Sequence, residues 1–282
     1  MLLKVAWLIA SYWFEQMNYT YKNIWLIALP VMMSILIEQL INITDALFLG
    51  HVGDVELGAS ALAGIWFLAI YMLGFGFSLG LQVVIARRNG EQRCAETGKT
   101  FFQGLFFLLI LAVLLCLLSK IFSPVLLKHL ITSDDVYNAV IRYLDWRIWG
   151  LLPSFPILAL RSFLVGITQT KALNMAAFTA VLVNIPLNWL LIFGFDMGIS
   201  GAAIASSFAE MCSLAVLAAY MFRYIDKKAY GLYWRIDITI LKEVFSISVW
   251  SMLQFFTSVA IWFLFFVAIE MCIRDRCVCA SR

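Results

Sequence analysis

The chain has 282 residues, of which 63% are hydrophobic and 13% charged, and its mean hydropathy is +0.93. Too few polar residues remain to cover a soluble domain, so its natural solvent is lipid. The net charge of +3 is small, and the basic residues fall in separate loops without a basic and aromatic stripe, which excludes a nucleic-acid surface.

Residues 1–19 precede the first convincing span. Lys4 and the short apolar run after it suit a signal peptide superficially, but no small-residue cleavage site follows. Met17 opens Met17-Asn18-Tyr19-Thr20-Tyr21-Lys22 directly before the first span and is an alternative start, so residues 1–19 are set aside as an N-terminal extension. Apolar windows of about 20 residues, the length that crosses a bilayer as a helix, fall near 24–49, 57–86, 101–119, 145–168, 172–194, 199–222 and 240–270. The predicted fold class is all-α, a polytopic membrane protein with a six-helix transmembrane bundle over 20–230 and a partial seventh helix in 231–270. Arg87, Arg88, Arg93 and Lys99 follow span two, Lys171 follows span four, and Arg223, Lys227, Lys228, Arg235 and Lys242 follow span six. Loops one and five carry no Lys or Arg, and loop three has Lys120 and Lys128 beside Asp134 and Asp135. The positive-inside rule then makes the N-terminus and loops two, four and six cytoplasmic.

Span one carries the sharpest functional signal. Glu38, Asn42 and Asp45 lie at i, i+4 and i+7 and line one helical stripe, and a charge near a bilayer centre costs about 2.5–3.5 kcal/mol on insertion scales. Asp45 is therefore a candidate ion or proton site, or else it caps the helix at the interface beside Gly50-His51-Val52-Gly53-Asp54. Glu38, Gln39 and Asn42, with Gln254 of span seven, are candidate substrate or cavity residues. In span two, Gly74-Phe75-Gly76-Phe77-Ser78-Leu79-Gly80 is a packing surface rather than a nucleotide loop, because a dinucleotide loop must follow a strand and open a helix at a water boundary.

Pro153 and Pro156 in span four, like Pro30 in span one, predict bent helices. Arg161 lies about 15 Å from the cytoplasmic end of span four at the helical rise, and it either pairs with a carboxylate or snorkels to the interface. In span five, Pro186 stands between Asn184 and Asn188 and cannot donate to Leu182. The free carbonyl and two carboxamides one turn apart offer oxygen ligands, as interrupted transporter helices do; the alternative is that both asparagines bond neighbouring helices. Glu210 in span six is a further acidic candidate, buried with a hydroxyl or with Arg161.

Residues 271–282, Met271 to Arg282, break an unfinished apolar span with three arginines and three of the six cysteines. The spacing of Cys277 and Cys279 fits no standard ligand set, and this segment is read as a non-native tail. Cys94, Cys116 and Cys212 are isolated thiols.

Four runs together resemble the multidrug and toxic compound extrusion (MATE) transporters, over nearly all of residues 20–270. They are Pro30 with Asp45-Ala46-Leu47-Phe48-Leu49-Gly50-His51-Val52-Gly53; Arg161-Ser162-Phe163-Leu164-Val165-Gly166 with Gln169-Thr170-Lys171; Asn184-Ile185-Pro186-Leu187-Asn188-Trp189-Leu190-Leu191-Ile192-Phe193-Gly194; and Gly198-Ile199-Ser200-Gly201-Ala202-Ala203-Ile204-Ala205. The resemblance implies two six-helix bundles around a central cavity, of which this chain supplies the first and the start of the second. The second lobe is then missing from a truncated chain, or a homodimer completes the cavity. It implies a multi-pass protein of the cell inner membrane that exchanges sodium ions or protons for amphipathic, often cationic, organic compounds. Asp45 matches the family's cation-coupling acid, and Asn184, Asn188 and Ser206 match the group around it. Asn188 stands where some relatives carry an aspartate and Gln254 where others place a glutamate, which leaves the ion open.

The physical mechanism is available without the family. A carboxyl in an apolar medium can load and release a proton near neutral pH, and its ionised form with amide oxygens can hold sodium. No metal beyond that possible sodium, and no cofactor, is expected. One charge crossing 100 mV releases about 2.3 kcal/mol, enough to bias two arrangements of the bundles. A lipid-linked precursor flippase is the alternative, wanting a more basic cavity. An enzyme is not expected, since His51 and His129 are the only histidines and no clustered catalytic set is visible.

Overall fold

A computed structural model describes residues 21–131, 133–233 and 237–280, and among them every regular element is helical. The N-terminal extension up to residue 20 and Arg235 lie outside the described residues, as do the side chains of the 271–282 tail. Helix α1 spans Tyr21–Val52, α2 Asp54–Gly90, α3 Cys94–Leu130 and α4 Asp134–Arg147. A single 3-10 turn, Ile148–Gly150, leads from α4 into α5, Leu151–Gly166. Helix α6 spans Lys171–Trp189 and widens into a π turn over Leu190–Gly194, followed by α7, Gly198–Tyr224, and α8, Ile238–Ala280.

Among the described residues, seven stretches are long and apolar enough to cross a membrane: Ala28–Val52, Asp54–Gly90, Cys94–Leu130, Asp134–Gly166, Lys171–Gly194, Gly198–Tyr224 and Ile238–Phe265. In lipid, backbone N–H and C=O groups find no water, so each apolar run closes its own hydrogen bonds as a helix. The seven expected spans are all present, and spans two, three and four are clearly longer than expected. At 37 residues, α2 and α3 are each about 55 Å long, well beyond a hydrocarbon core of about 30 Å. A hydropathy window stops where polar residues begin, whereas the helix continues through them. Lys120 and Lys128 therefore lie on α3, not in loop three, and Asp134 and Asp135 open α4.

The prolines do not break their helices. Pro153 sits in the first turn of α5, where no N–H partner is needed. Pro30, Pro156 and Pro186 lie inside continuous helices. The expected interruption at Pro186 is instead a π turn that begins four residues later.

The interior of the bundle is built from large side chains set against small ones. Phe77, Phe101, Phe155 and Phe163 are fully buried among Ala59, Ala63, Ala159, Ala202 and Ala203. Many large apolar side chains, such as Leu36, Leu117, Phe178 and Trp250, stay exposed. That is ordinary where the surroundings are lipid tails and helices associate through close packing. The hydroxyl of Ser162 on α5 reaches the Ser78 carbonyl of α2 at 2.6 Å, one polar tie between packed helices.

The glycine run of α2 is the packing surface that its sequence predicts. A Cβ at Gly74 would stand 2.6 Å from the Phe155 ring, and one at Gly76 would stand 2.5 Å from Met252 Cα and 2.6 Å from Met252 N. Gly76 and Gly80 thus admit α8 against α2. The same seam is tied by Ser248, whose hydroxyl bonds the Phe77 carbonyl at 3.2 Å. At its end, Arg87 and Arg88 both bind the Glu243 carboxylate, and buried Arg88 also bonds Thr100. These arginines, read as topology signals, clasp the seventh span to the first six.

Because only backbone could yield at Gly76, Gly76→Val is expected to cost about 1–3 kcal/mol of stability by overpacking. A Cβ at Gly64 would meet only open space, and Gly64→Ala should not destabilise. Thermal unfolding in detergent compares the two; equal midpoints would refute the close seam.

Candidate functional site

Asp45 enters the bundle from α1 and meets α6 and α7. Ser206 of α7 donates its hydroxyl to one carboxylate oxygen at 2.6 Å, and Asn188 of α6 donates its amide to the other. Asn188 also donates to the Asn184 side-chain oxygen at 3.0 Å, and Asn184 donates to the Ser206 hydroxyl oxygen at 3.2 Å. The four side chains close a ring. Asn184 and Asn188 are four residues apart on α6, hence on one face, and both are fully buried.

The ring is chemically consistent. Ser206 accepts from one neighbour and donates to another, and the Asn188 amide group uses both its hydrogens. An amide oxygen turned toward an ionised carboxylate would repel it, so Asp45 fixes which way Asn188 faces. That leaves Asn188 Oδ1 buried without a hydrogen-bond partner among the described residues. A buried acceptor without a donor is costly. The Asp45 carboxylate supplies the oxygens of a site with one negative charge, the chemistry a proton or a hard monovalent cation requires. Among the described residues no cluster of three or more His, Cys, Asp or Glu side chains could hold a transition metal.

The stripe of Glu38, Asn42 and Asp45 divides among different partners. Glu38 faces Arg161 of α5 at 3.3 Å, while Asn42 donates to Gln39 on its own helix at 2.9 Å, and both carboxamides are exposed. Glu38, Gln39 and Asn42 are therefore outside the Asp45 ring. Gln254 is exposed on α8, which packs against α2 and α3 rather than α1, α6 and α7. Arg161 does pair with a carboxylate, that of Glu38. Glu210 does not meet Arg161; it bonds Arg147 of α4 at 2.7 Å and accepts from Ser154 at 2.7 Å.

Arg147 does not stand out in the sequence. Its place at the supposed edge of span four, after Trp146, makes it look interfacial, whereas the membrane-competent stretch starts at Asp134. An arginine in the interior of a span is the signal that a correct boundary would have exposed.

The MatE family model matches residues 30–190, more than half of the chain. The probable multidrug resistance protein NorM of Shewanella oneidensis is 29% identical over 208 residues, covering 71% of this chain and 44% of that protein. The multidrug resistance protein NorM of Vibrio cholerae is 24% identical over 205 residues, again covering 71% of this chain and 44% of the relative. The chain thus spans less than half the length of these two curated relatives. Among solved structures, the eukaryotic MATE transporter AtDTX14 is similar with a TM-score of 0.77 and 20% identity, over 86% of this chain and 56% of that one. An outward-facing MATE family transporter gives a TM-score of 0.77 at 22% identity, over 86% of this chain and 55% of its own. These likenesses show the fold.

Removing the Ser206 hydroxyl leaves both Asp45 and Asn184 short of a partner. Ser206→Ala is expected to lower stability by about 1–3 kcal/mol, whereas Ser207→Ala, whose hydroxyl bonds the Ala203 carbonyl of its own helix, should change it by less than about 0.5 kcal/mol. Equal unfolding midpoints for the two variants would show that the ring carries no stability.

Proposed function

This chain belongs to the MatE family, and from that membership we propose that it works in a secondary active antiporter that exports amphipathic or cationic organic compounds in exchange for sodium ions or protons. The observation that carries this reading is the ring of Asp45, Asn184, Asn188 and Ser206, one charge among neutral oxygens and amides joining three membrane-competent helices. A cation arriving at Asp45 removes the net charge of the ring. Its departure restores a carboxylate that needs the donors of α6 and α7. The two states therefore differ in how strongly α1 is held to α6 and α7, the differential interaction that a conformational switch requires.

The compound to be exported binds in a cavity completed by a second bundle, where the half-buried Glu38 and the exposed Gln39, Asn42 and Gln254 supply polar groups, and aromatic faces supply cation–π contacts. The protein lies in the cell inner membrane with its N-terminus in the cytoplasm, on the distribution of Lys and Arg among the loops. Arg147 and Arg161 are each matched by a carboxylate. That leaves neither of these two arginines free for a lipid pyrophosphate, which disfavours a flippase. The multidrug names of the NorM relatives support the same choice.

Asp45→Asn keeps the size and hydrogen-bonding shape of the side chain but removes its charge. In energised everted vesicles supplied with a cationic dye from outside, this variant is expected to lose at least about tenfold of the cation-driven dye uptake, equivalent to about 1.4 kcal/mol, with normal membrane insertion. Undiminished cation-driven transport in Asp45→Asn would refute coupling at this site.

A further inference from the structure

A second buried charge cluster adjoins the Asp45 ring without belonging to it. Arg147 donates to both oxygens of Glu210, at 2.7 and 3.1 Å, and Ser154 completes the carboxylate at 2.7 Å. The arginine side chain is 13% exposed, and its guanidinium lies 4.0 Å from the centre of the Phe67 ring. Gly150 makes room for the pair: a Cβ there would stand 2.9 Å from Glu210 Oε2 and 3.0 Å from Ser207 Oγ.

The two clusters are stacked. Glu210 is one helical turn beyond Ser206 on α7, so the residue that binds Asp45 and the residue that binds Arg147 share a face. The link between Asp45 and the Arg147–Glu210 pair runs along α7, from Ser206 to Glu210. The remaining interior charges nearby, Glu38 and Arg161, neutralise each other.

Charge counting then constrains the site. Asp45 and Glu210 contribute two negative charges and Arg147 one positive charge, and arginine does not lose its proton in a protein. Without Arg147, two neighbouring carboxylates would call for two cations. Without the Glu210 charge, Arg147 would turn to Asp45 and satisfy it internally. We infer that Arg147 and Glu210 are positioning residues that fix the cation load of the Asp45 site at a single monovalent charge. The inference rests on the coupling role proposed for Asp45 and adds its stoichiometry. Arg147 acts through the field it sets, not by touching the cation, and Glu210 holds Arg147 away from Asp45.

The test counts cations on the full chain purified in detergent. Radioactive sodium bound at alkaline pH and protons taken up on acidification without sodium are each measured, and the difference between wild type and Asp45→Asn is the load of the site. Wild type should hold one sodium ion or one proton. Glu210→Gln should weaken binding at least about tenfold, since the freed Arg147 charge competes for Asp45. Arg147→Gln should raise the load toward two. The double variant Arg147→Gln with Glu210→Gln has the wild-type net charge and should return to one, a rescue that a merely structural pair would not produce. A load of one in both single variants, or no binding in the double variant while wild type binds, overturns the inference and leaves the Asp45 reading intact. Equal sodium binding and equal proton uptake in wild type and Asp45→Asn overturn the Asp45 reading, and the inference with it.

Discussion

A carboxylate inside a bilayer must be hydrogen-bonded or neutralised, and the arrangement of α1, α6 and α7 follows from how Asp45 meets that condition. Its two oxygens take donors from two other helices, so the three helices cannot separate without exposing a charge to an apolar medium. Asn184 and Asn188 are the means: carboxamides donate and accept at once, so they pass hydrogen bonds along the ring without adding charge. The ring therefore ties α1, α6 and α7 together through a single carboxylate. Under the proposed coupling role, structural support and ion binding would use the same bonds.

The other interior charges obey the same constraint in a different way. Arg147 with Glu210 and Arg161 with Glu38 are ion pairs between distant helices, and each pair removes its own charge from the lipid. A part-buried pair of this kind adds little net stability compared with apolar packing. What it retains is a fixed pattern of sign. Against that neutral background, Asp45 is the unbalanced charge of the cluster.

The seventh helix depends on sterics more than on charge. Along α2 the glycines at 76 and 80 remove the side chains that would hold α8 away, and the backbones approach closely enough that a methyl group would collide. The Arg87 and Arg88 clasp on Glu243 then fixes the end of α8 to the same helix. This places α8 on the first six spans, with α2 as the common wall.

The spans were legible in the sequence because lipid imposes its demand locally: a run of about 20 apolar residues must be helical wherever it occurs. Asp45, Asn184, Asn188 and Ser206 were legible as members of one group only through resemblance to a family, and the glycine run through its small side chains. Helical periodicity assigned Glu38, Asn42 and Asp45 to one stripe, but a stripe describes a single helix and cannot name its partners. Tertiary structure alone decided that Glu38 meets Arg161, that Glu210 meets Arg147, and that Asp45 meets residues 143 and 161 positions away. The physical reason is that hydrophobicity and periodicity act along the chain, whereas the satisfaction of a buried charge is settled across it, by whichever helix the packing brings within reach.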